Sequence, residues 1–246
     1  MIFYLGVDDT GQPEKQGTSD LALELGLHLQ AMNLARLVHV SEHVLLPPPE
    51  IPGASVNLAY CLTLDAEKQR QRELEMESRV YIMRNASTGS NAGFALARAD
   101  ELNGHFLSFA QACRSLVMER RDALDLARTS SIACTGFMGS GLGVIGALAA
   151  VGWRWQGSDG VITWMPGLDL IKGILSVSEI LQLCTFDYIR TIRGKTPLFE
   201  DRIYLGDHPT ALLKSDRSLL LLEAAPRNAD WQWNAVGSEA RHRITW

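Results

Sequence analysis

The chain has 246 residues, 46% of them hydrophobic, and a formal net charge of -5. That length accommodates one large α/β domain or two small ones, and the acidic balance removes any overall attraction to a phosphate backbone, so long nucleic acid is not the default partner unless a local basic strip exists. The four cysteines, Cys61, Cys113, Cys134 and Cys184, form no C-x-x-C pair, which argues against a zinc ribbon or a disulfide framework and for reduced core thiols.

Residues 2–7 (IFYLGV) form a short apolar run of β-favouring residues and predict a strand buried on both faces. The chain then turns acidic too early for a signal-peptide apolar region, and no apolar run reaches membrane-spanning length, which suggests a cytoplasmic location without membrane contact. From Thr18 onward Leu21, Leu23, Leu25, Leu27 and Leu29 suit either state, but segment length and the Glu, Gln and Ala content favour a helix capped by Thr18 or Ser19. Residues 35–44 alternate as a strand does, and the proline-rich LPPPEIPG (46–53) ends it. Residues 54–65 predict the next strand and 66–83 a charged surface helix. The first 85 or so residues therefore read β-α-β-β-α, part of a ferredoxin-like split βαβ unit.

NASTGSNAGFALAR (85–98) reads as a small-residue loop and a soft boundary between a lobe at 1–90 and a second mixed α/β lobe at 91–246. Helical patterns fill 98–128 with a break near LNGH. A Gly-rich turn then feeds an Ala-rich helix expected to stop at Gly152. Beyond it, 153–167 reads as two short strands, 168–183 as a helix, and the tail as short strands ending in RHRITW (241–246). The fold class is α/β of the α+β kind. The six tryptophans, Trp153, Trp155, Trp164, Trp231, Trp233 and Trp246, read as core or rim of the second lobe, with base stacking the lesser option.

Asp8 and Asp9 close the first strand, at the carboxyl end where open α/β sheets place ligands. Adjacent carboxylates repel unless a cation or donors neutralise them, and Mg²⁺ with phosphate oxygens is the simplest partner; a turn cap beside a solvated side chain is the plainer reading. Thr10 and Gly11 keep the loop tight, and Gly17, Thr18, Ser19 and Asp20 offer a helix start able to attract an anion, with Thr18 as a simple N-cap the alternative. In GSGLGVIGALAAVG, Gly141, Gly143 and Gly146 satisfy G-x-G-x-x-G. Backbone N–H groups of 139–143 could cradle phosphate there, or the small residues could serve close helix packing; a Rossmann site lacks its acidic residue and a P-loop lacks its Lys-Ser/Thr pair. Asn91 in STGSNAG could contact phosphate or ribose, or lie in a connector. Arg190, Arg193 and Lys195 could clamp phosphates, or form a solvated strand edge. His39 and His43 share one strand face, where a joint site is the lesser reading.

Taken together, GVDDT, the Thr18 helix start, SNAG, the GxGVIGALAAVG segment and the later IRG resemble, in order and approximate spacing over residues 1–200, the archaeal tRNA(Ile2) 2-agmatinylcytidine synthetases and their shorter relatives. The resemblance implies a ferredoxin-like element packed with a kinase-like ATP-binding domain. It also implies ATP- and Mg²⁺-dependent phosphorylation of a cytidine carbonyl oxygen, after which agmatine displaces the phosphate. It makes Asp8 and Asp9 the metal or phosphate-site carboxylates, Thr18 a threonine able to take a phosphoryl group, and Gly141 to Gly146 the nucleotide approach. Two departures stand out: Gly11 replaces the last aspartate of the family's D-D-T-D, which Asp20 could supply, and the chain stops where the synthetases continue into tRNA-binding OB-fold and zinc-ribbon domains.

The expected function is thus ATP- and Mg²⁺-dependent phosphoryl transfer to a small-molecule or nucleoside-like acceptor. Asp8, Asp9 and Thr18 would be its catalytic residues. Thr10, Gly17, Ser19, Asn91, Gly139, Gly141, Gly143, Gly146, Arg193 and Lys195 would contact nucleotide. The other readings are tRNA-cytidine modification with a separate RNA-binding subunit, a nucleotide-binding regulator without turnover and, more distantly, a Rossmann oxidoreductase. Oligomeric state is open.

Overall fold

The computed structural model describes residues 1–11, 17–46, 57–237 and 244, which fall into two compact units, 1–156 and 157–246. The first holds β1 (Ile2–Asp8), α1 (Thr18–Ala31), β2 (Arg36–Val44), β3 (Leu58–Asp65), α2 (Gln71–Asn85), β4 (Gly93–Arg98), α3 (Gly104–Ala112), α4 (Arg120–Thr129), β5 (Ala133–Gly136) and α5 (Val144–Gln156). Its strands run in the order β5-β4-β1-β3-β2, every neighbouring pair antiparallel. The first six of these elements, in chain order with their sheet order β4-β1-β3-β2, make a complete ferredoxin-like βαββαβ unit. The expected β-α-β-β-α is therefore right as far as it goes and stops one strand short.

Strand alternation divides the chemistry of the two sheet faces. Phe3, Leu5 and Val7 of β1 are fully buried on one face, the same face as Leu62, which opposes Leu5 and meets α1 at Gly26. Each such side chain contributes about 1.5–3 kcal/mol on burial. Tyr4, Gly6 and Asp8 point to the other face, where α5 lies. Tyr4 shares a core with Ala95, Ala97 and the small residues of α5, and Gly6 lets the strand approach so closely that a Cβ there would collide with the Ala147 carbonyl. An Ala- and Gly-rich helix is what brings β1 and α5 within backbone reach, and it delivers Asp8 to the first turn of α5.

Three elements differ from the sequence reading. GFAL in 93–96 is not loop but β4, paired to β1 from Phe3↔Arg98 to Asp8↔Gly93, so the boundary expected at 85–98 lies inside one sheet and the division between units falls at 156. Gly152 does not stop α5; its missing side chain makes room for the Phe106 carbonyl of α3, and the helix runs on through Trp153 and Trp155 to Gln156. Those two tryptophans consequently belong to the first unit, and the strand expected at 153–156 is helix.

The second unit contains β6 (Val161–Trp164), β7 (Ile174–Ser176), α6 (Val177–Leu183), β8 (Tyr188–Thr191), β9 (Arg202–Tyr204), β10 (Ala211–Lys214), β11 (Arg217–Ala224) and β12 (Trp233–Ala235). β10 and β11 form a hairpin through Ser215 and Asp216, both at positive φ, the backbone that matches strand twist in a two-residue turn. The helix expected over 168–183 is a short 3-10 turn, then β7, then α6. Ile162, Ile180, Ile203, Leu220 and Leu222 are its core. The expected turn at LPPPEIPG and the strand RHRITW lie, almost wholly, outside the described residues. Among those described, no helix is long and apolar enough to cross a membrane, and the four cysteines carry free thiols, three of them buried.

Candidate functional site

β1 ends at its acidic doublet as the sequence suggests, with Asp8 and Asp9 partly buried. The Asp8 carboxylate lies against Gly146 of α5, where a Cβ would strike its Oδ2. The neighbouring N–H of Asp9 donates to Asp8 Oδ1 at 2.8 Å. Burial first, and the charge of Asp9 second, push the Asp8 carboxyl up to about 8, the Asp9 N–H bond opposing them. Asp9 has a left-handed backbone, φ 48°, and its carboxylate meets the segment that leads into β4, where Asn91 Nδ2 donates to Asp9 Oδ2 at 3.0 Å.

Asn91 is the hub of the site. Its Oδ1 accepts from both the N–H (2.9 Å) and the Oγ (2.7 Å) of Ser140, and its carbonyl accepts from Gly143 N–H at 2.9 Å. One side chain thus ties the acidic end of β1 to the glycine turn that opens α5. The turn itself is built from positive φ at Met138, Gly139 and Gly141. Its glycines do not line an open phosphate cradle: a Cβ on Gly143 would meet the backbone of Asp8, Asn91 and Gly93, one on Gly141 would crowd Gly136, and one on Gly146 would displace the Asp8 carboxylate. The close helix packing expected at Gly146 and the alanines after it is observed, and Gly141 and Gly143 are packed as closely. The N–H groups of Gly141, Gly143, Val144 and Ile145 already have carbonyl acceptors, and β5 is antiparallel to β4, which is not the βαβ setting a Rossmann phosphate turn needs.

The start of α1 is different. Gly17, not Thr18 or Ser19, is its N-cap, and Asp20 Oδ2 accepts the Gly17 N–H at 3.2 Å. The first intrahelical bond is Leu21 N–H to the Gly17 carbonyl, so the N–H groups of Thr18, Ser19 and Asp20 emerge from the helix end. Thr18 Oγ1 accepts the Thr10 N–H at 3.2 Å, which fastens the helix start to the β1 loop. The Tyr60 phenol donates to Glu42 Oε2 at 3.1 Å and is held protonated by burial and by Glu42. Thr10 is 1% exposed and Ser90 3%, yet neither hydroxyl finds a partner among the described residues. Buried hydroxyls without partners are uncommon, and these two sit on segments joined to the site, Thr10 O accepting from Ser87 N–H and Ser87 O from Ser90 N–H.

The structure therefore gathers Asp8, Asp9, Thr10, Thr18, Asn91 and the turn from Gly139 to Gly146 at one end of the first sheet, with Gly17 and Ser19 on the adjoining helix start. Arg193 and Lys195 belong to the second unit, in a tight turn in which Thr191 N–H donates to the Lys195 carbonyl, Gly194 N–H to the Thr191 carbonyl and Lys195 N–H to Thr191 Oγ1; Arg190 is bonded to Thr196. Ser90 and Ser140 are additional site residues, recognisable in the sequence only as members of small-residue runs. At the opposite end of the sheet a groove of about 510 Å³ is lined by Gln30, Arg36, Asp65 and Arg70, but its cations are engaged, Arg36 by Asp65 and Arg70 by the Asn33 carbonyl. His39 and His43 do share one buried face of β2, with Ser41 bonded to His43. Among the described residues no group of three or more His, Cys, Asp or Glu side chains surrounds a metal position.

No protein-family model matches the chain, and no curated protein does. Solved structures do. The apo form of TiaS, a tRNAIle2 agmatidine synthetase, superposes with a TM-score of 0.51 at 22% identity over 62% of this chain and 35% of its own. The complex of TiaS with tRNA(Ile2), AMPCPP and agmatine does so at 0.53 and 24% over 62% and 36%, and a tRNA fluorescent labelling enzyme at 0.54 and 24% over the same shares. At these identities the likeness is one of fold, and the matched part is about a third of the length of those structures.

Proposed function

We propose that the chain is an ATP-dependent phosphoryl-transfer enzyme working at the Asp8–Asp9 corner, with magnesium as its cation and a nucleoside oxygen as acceptor. The observation that carries the reading is the linkage of the acidic doublet through Asn91 to Ser140 of the glycine turn, beside the start of α1 that Thr18 fastens to the β1 loop, in a fold like that of a structure containing tRNA(Ile2) and ATP. Magnesium suits the residues present. Asp8 is a carboxyl kept protonated to about 8 by burial and by Asp9, so a divalent cation would offset the cost of ionising it there. With two carboxylates at hand among the described residues, Asp8 and Asp9, the remaining positions would go to phosphate oxygens and water, as Mg²⁺ prefers. Asp8 and Asp9 would hold it, and when bound it would offset negative charge on the phosphates.

The chain's own groups supply positioning, which is most of what phosphoryl transfer requires. The N–H groups of Thr18, Ser19 and Asp20 and the Thr10 hydroxyl would receive phosphate oxygens. Thr18 would donate its own proton to them, and it is the hydroxyl placed to take the phosphoryl group if the reaction proceeds through the protein. The acceptor oxygen attacks the γ-phosphorus, the bond from that phosphorus to the β,γ-bridging oxygen breaks, and ADP leaves with the electron pair. Asn91 keeps Asp9 aimed while this happens.

ATP with magnesium should raise the melting temperature, because a ligand that binds only the folded chain stabilises it by RT ln(1 + [L]/Kd). ADP formation dependent on bulk tRNA would identify a tRNA nucleoside as acceptor, and formation with free nucleosides or amines a small-molecule one. ATP binding without turnover on any of these would make the chain a nucleotide-binding regulator, and absence of ATP binding would remove the reading.

A further inference from the structure

A polyphosphate brought to Asp8 and Asp9 carries more negative charge than one divalent cation offsets, and the sequence candidates for the missing positive charge, Arg193 and Lys195, belong to the other unit. Within the first unit a different guanidinium reaches the glycine turn. Arg120, the first residue of α4, places its Nε 3.4 Å from where a Cβ of Gly141 would stand, so Gly141, at φ 64°, leaves that space to the arginine. Gly141 follows Ser140 directly, and Ser140 is the residue Asn91 joins to Asp9.

Three features distinguish Arg120 from an ordinary surface charge. It forms no ion pair among the described residues, whereas Arg121 beside it is bonded to Asp125 and Arg128 to the same carboxylate. It stands at the amino end of α4, where the helix dipole disfavours a cation, so it does not serve the helix. Its field is felt at the turn's side of β5, where it and Arg79 hold the Cys134 thiol lower than burial alone would. Arg79 is paired with Glu75 and lies over the Phe94 ring, with its Nε buried and without a hydrogen-bond partner among the described residues. We propose that Arg120 is the phosphate-binding cation of this site, donating its guanidinium N–H groups to oxygens of a bound nucleoside triphosphate. The inference rests on the ATP reading above.

Its test is the affinity of wild type, Arg120→Ala, Arg120→Lys and Arg121→Ala for ATP, ADP and adenosine in magnesium buffer, by isothermal titration. Arg120→Ala should lose ten-fold or more for ATP, less for ADP and nothing for adenosine, Arg120→Lys should recover part of the loss, and Arg121→Ala should match wild type. Removing a cation from a helix start should leave the melting temperature unchanged or raised; should Arg120→Ala fail to fold, Arg120→Lys and an Arg120→Gln variant carry the comparison. If wild type binds ATP and the Arg120 variants bind it equally well, or lose ATP and adenosine in equal proportion, Arg120 has no phosphate role and the ATP reading survives. If wild type binds no ATP, both fall together.

Discussion

Asp8 is a carboxyl whose folded value, about 8, lies far above its ordinary 3.8. The sign follows from linkage: the folded chain holds the proton more tightly than the unfolded one, so this group's contribution to stability is complete below about 4 and is lost as pH rises toward and through about 8. Asp8→Asn, a neutral isostere, should flatten that decline and leave the ligand-free chain more stable than wild type at pH 9, measured by denaturant unfolding across pH. The opposite limb comes from His39, 7% exposed and held well below 6.5 by burial, then by Arg154 and His43. A neutral His39 stabilises the fold above about 6.5, and that contribution disappears as pH falls below it. His39→Gln should therefore soften acid unfolding between pH 6.5 and 5, whatever it does to stability at neutral pH. Neither shift could be read from composition. DD and HVSEH are visible in the sequence, but the depth at which they lie depends on what packs over them, and α5 comes more than a hundred residues later.

At the scale of elements, the glycines of 139–146 are a packing device, and the two ends of that device should respond differently to a methyl group. Gly143→Ala sets a Cβ against the fixed backbone of β1 and β4, a collision that side-chain rotation cannot relieve. It should cost about 3 kcal/mol or more, seen as a melting temperature lowered by many degrees or as failure to fold. Gly146→Ala first meets the Asp8 side chain, which can swing away. It should fold with a loss of about 1 kcal/mol while abolishing the magnesium-dependent part of the ATP shift. The sequence displayed this segment clearly but left packing and phosphate binding equally open, because both need glycine for the same reason, close approach of a backbone. Strand β1 was legible from its apolar run, and helices α1 and α2 from their length and composition. β4 was hidden because its apolar run, GFALA, begins inside a Ser-, Asn- and Gly-rich stretch that resembles a connector, and only pairing with β1 makes a strand of it. Gly152 looked like a stop because a glycine late in a helical pattern usually is one; contact with α3 is the tertiary fact that overrides it.

For the whole molecule, the likeness to solved structures spans 62% of the chain, close to the share held by the first unit, 1–156. That unit contains the ferredoxin-like layer and every residue of the proposed site, whereas the sequence candidates Arg193 and Lys195 belong to the other unit. With a net charge of -5, any binding of tRNA should rest on few phosphate contacts, so a plot of log affinity against log salt should be shallow, with a slope of magnitude below about 3; a steep slope would reveal a basic surface that composition conceals. Arg120 was invisible for a related reason, since MERRDALD reads as an ordinary solvated helix and only the fold brings its first arginine to the glycine turn. The claim on which the functional reading turns is that the acidic end of β1 receives a cation and its polyphosphate. Calorimetric titration of magnesium and ATP at pH 7, in two buffers of different ionisation enthalpy, tests it through the proton that Asp8 must give up. Wild type should release about one proton on binding and Asp8→Asn none, with weaker affinity. Wild-type binding without proton release, or an Asp8→Asn variant that binds as tightly as wild type, would contradict it.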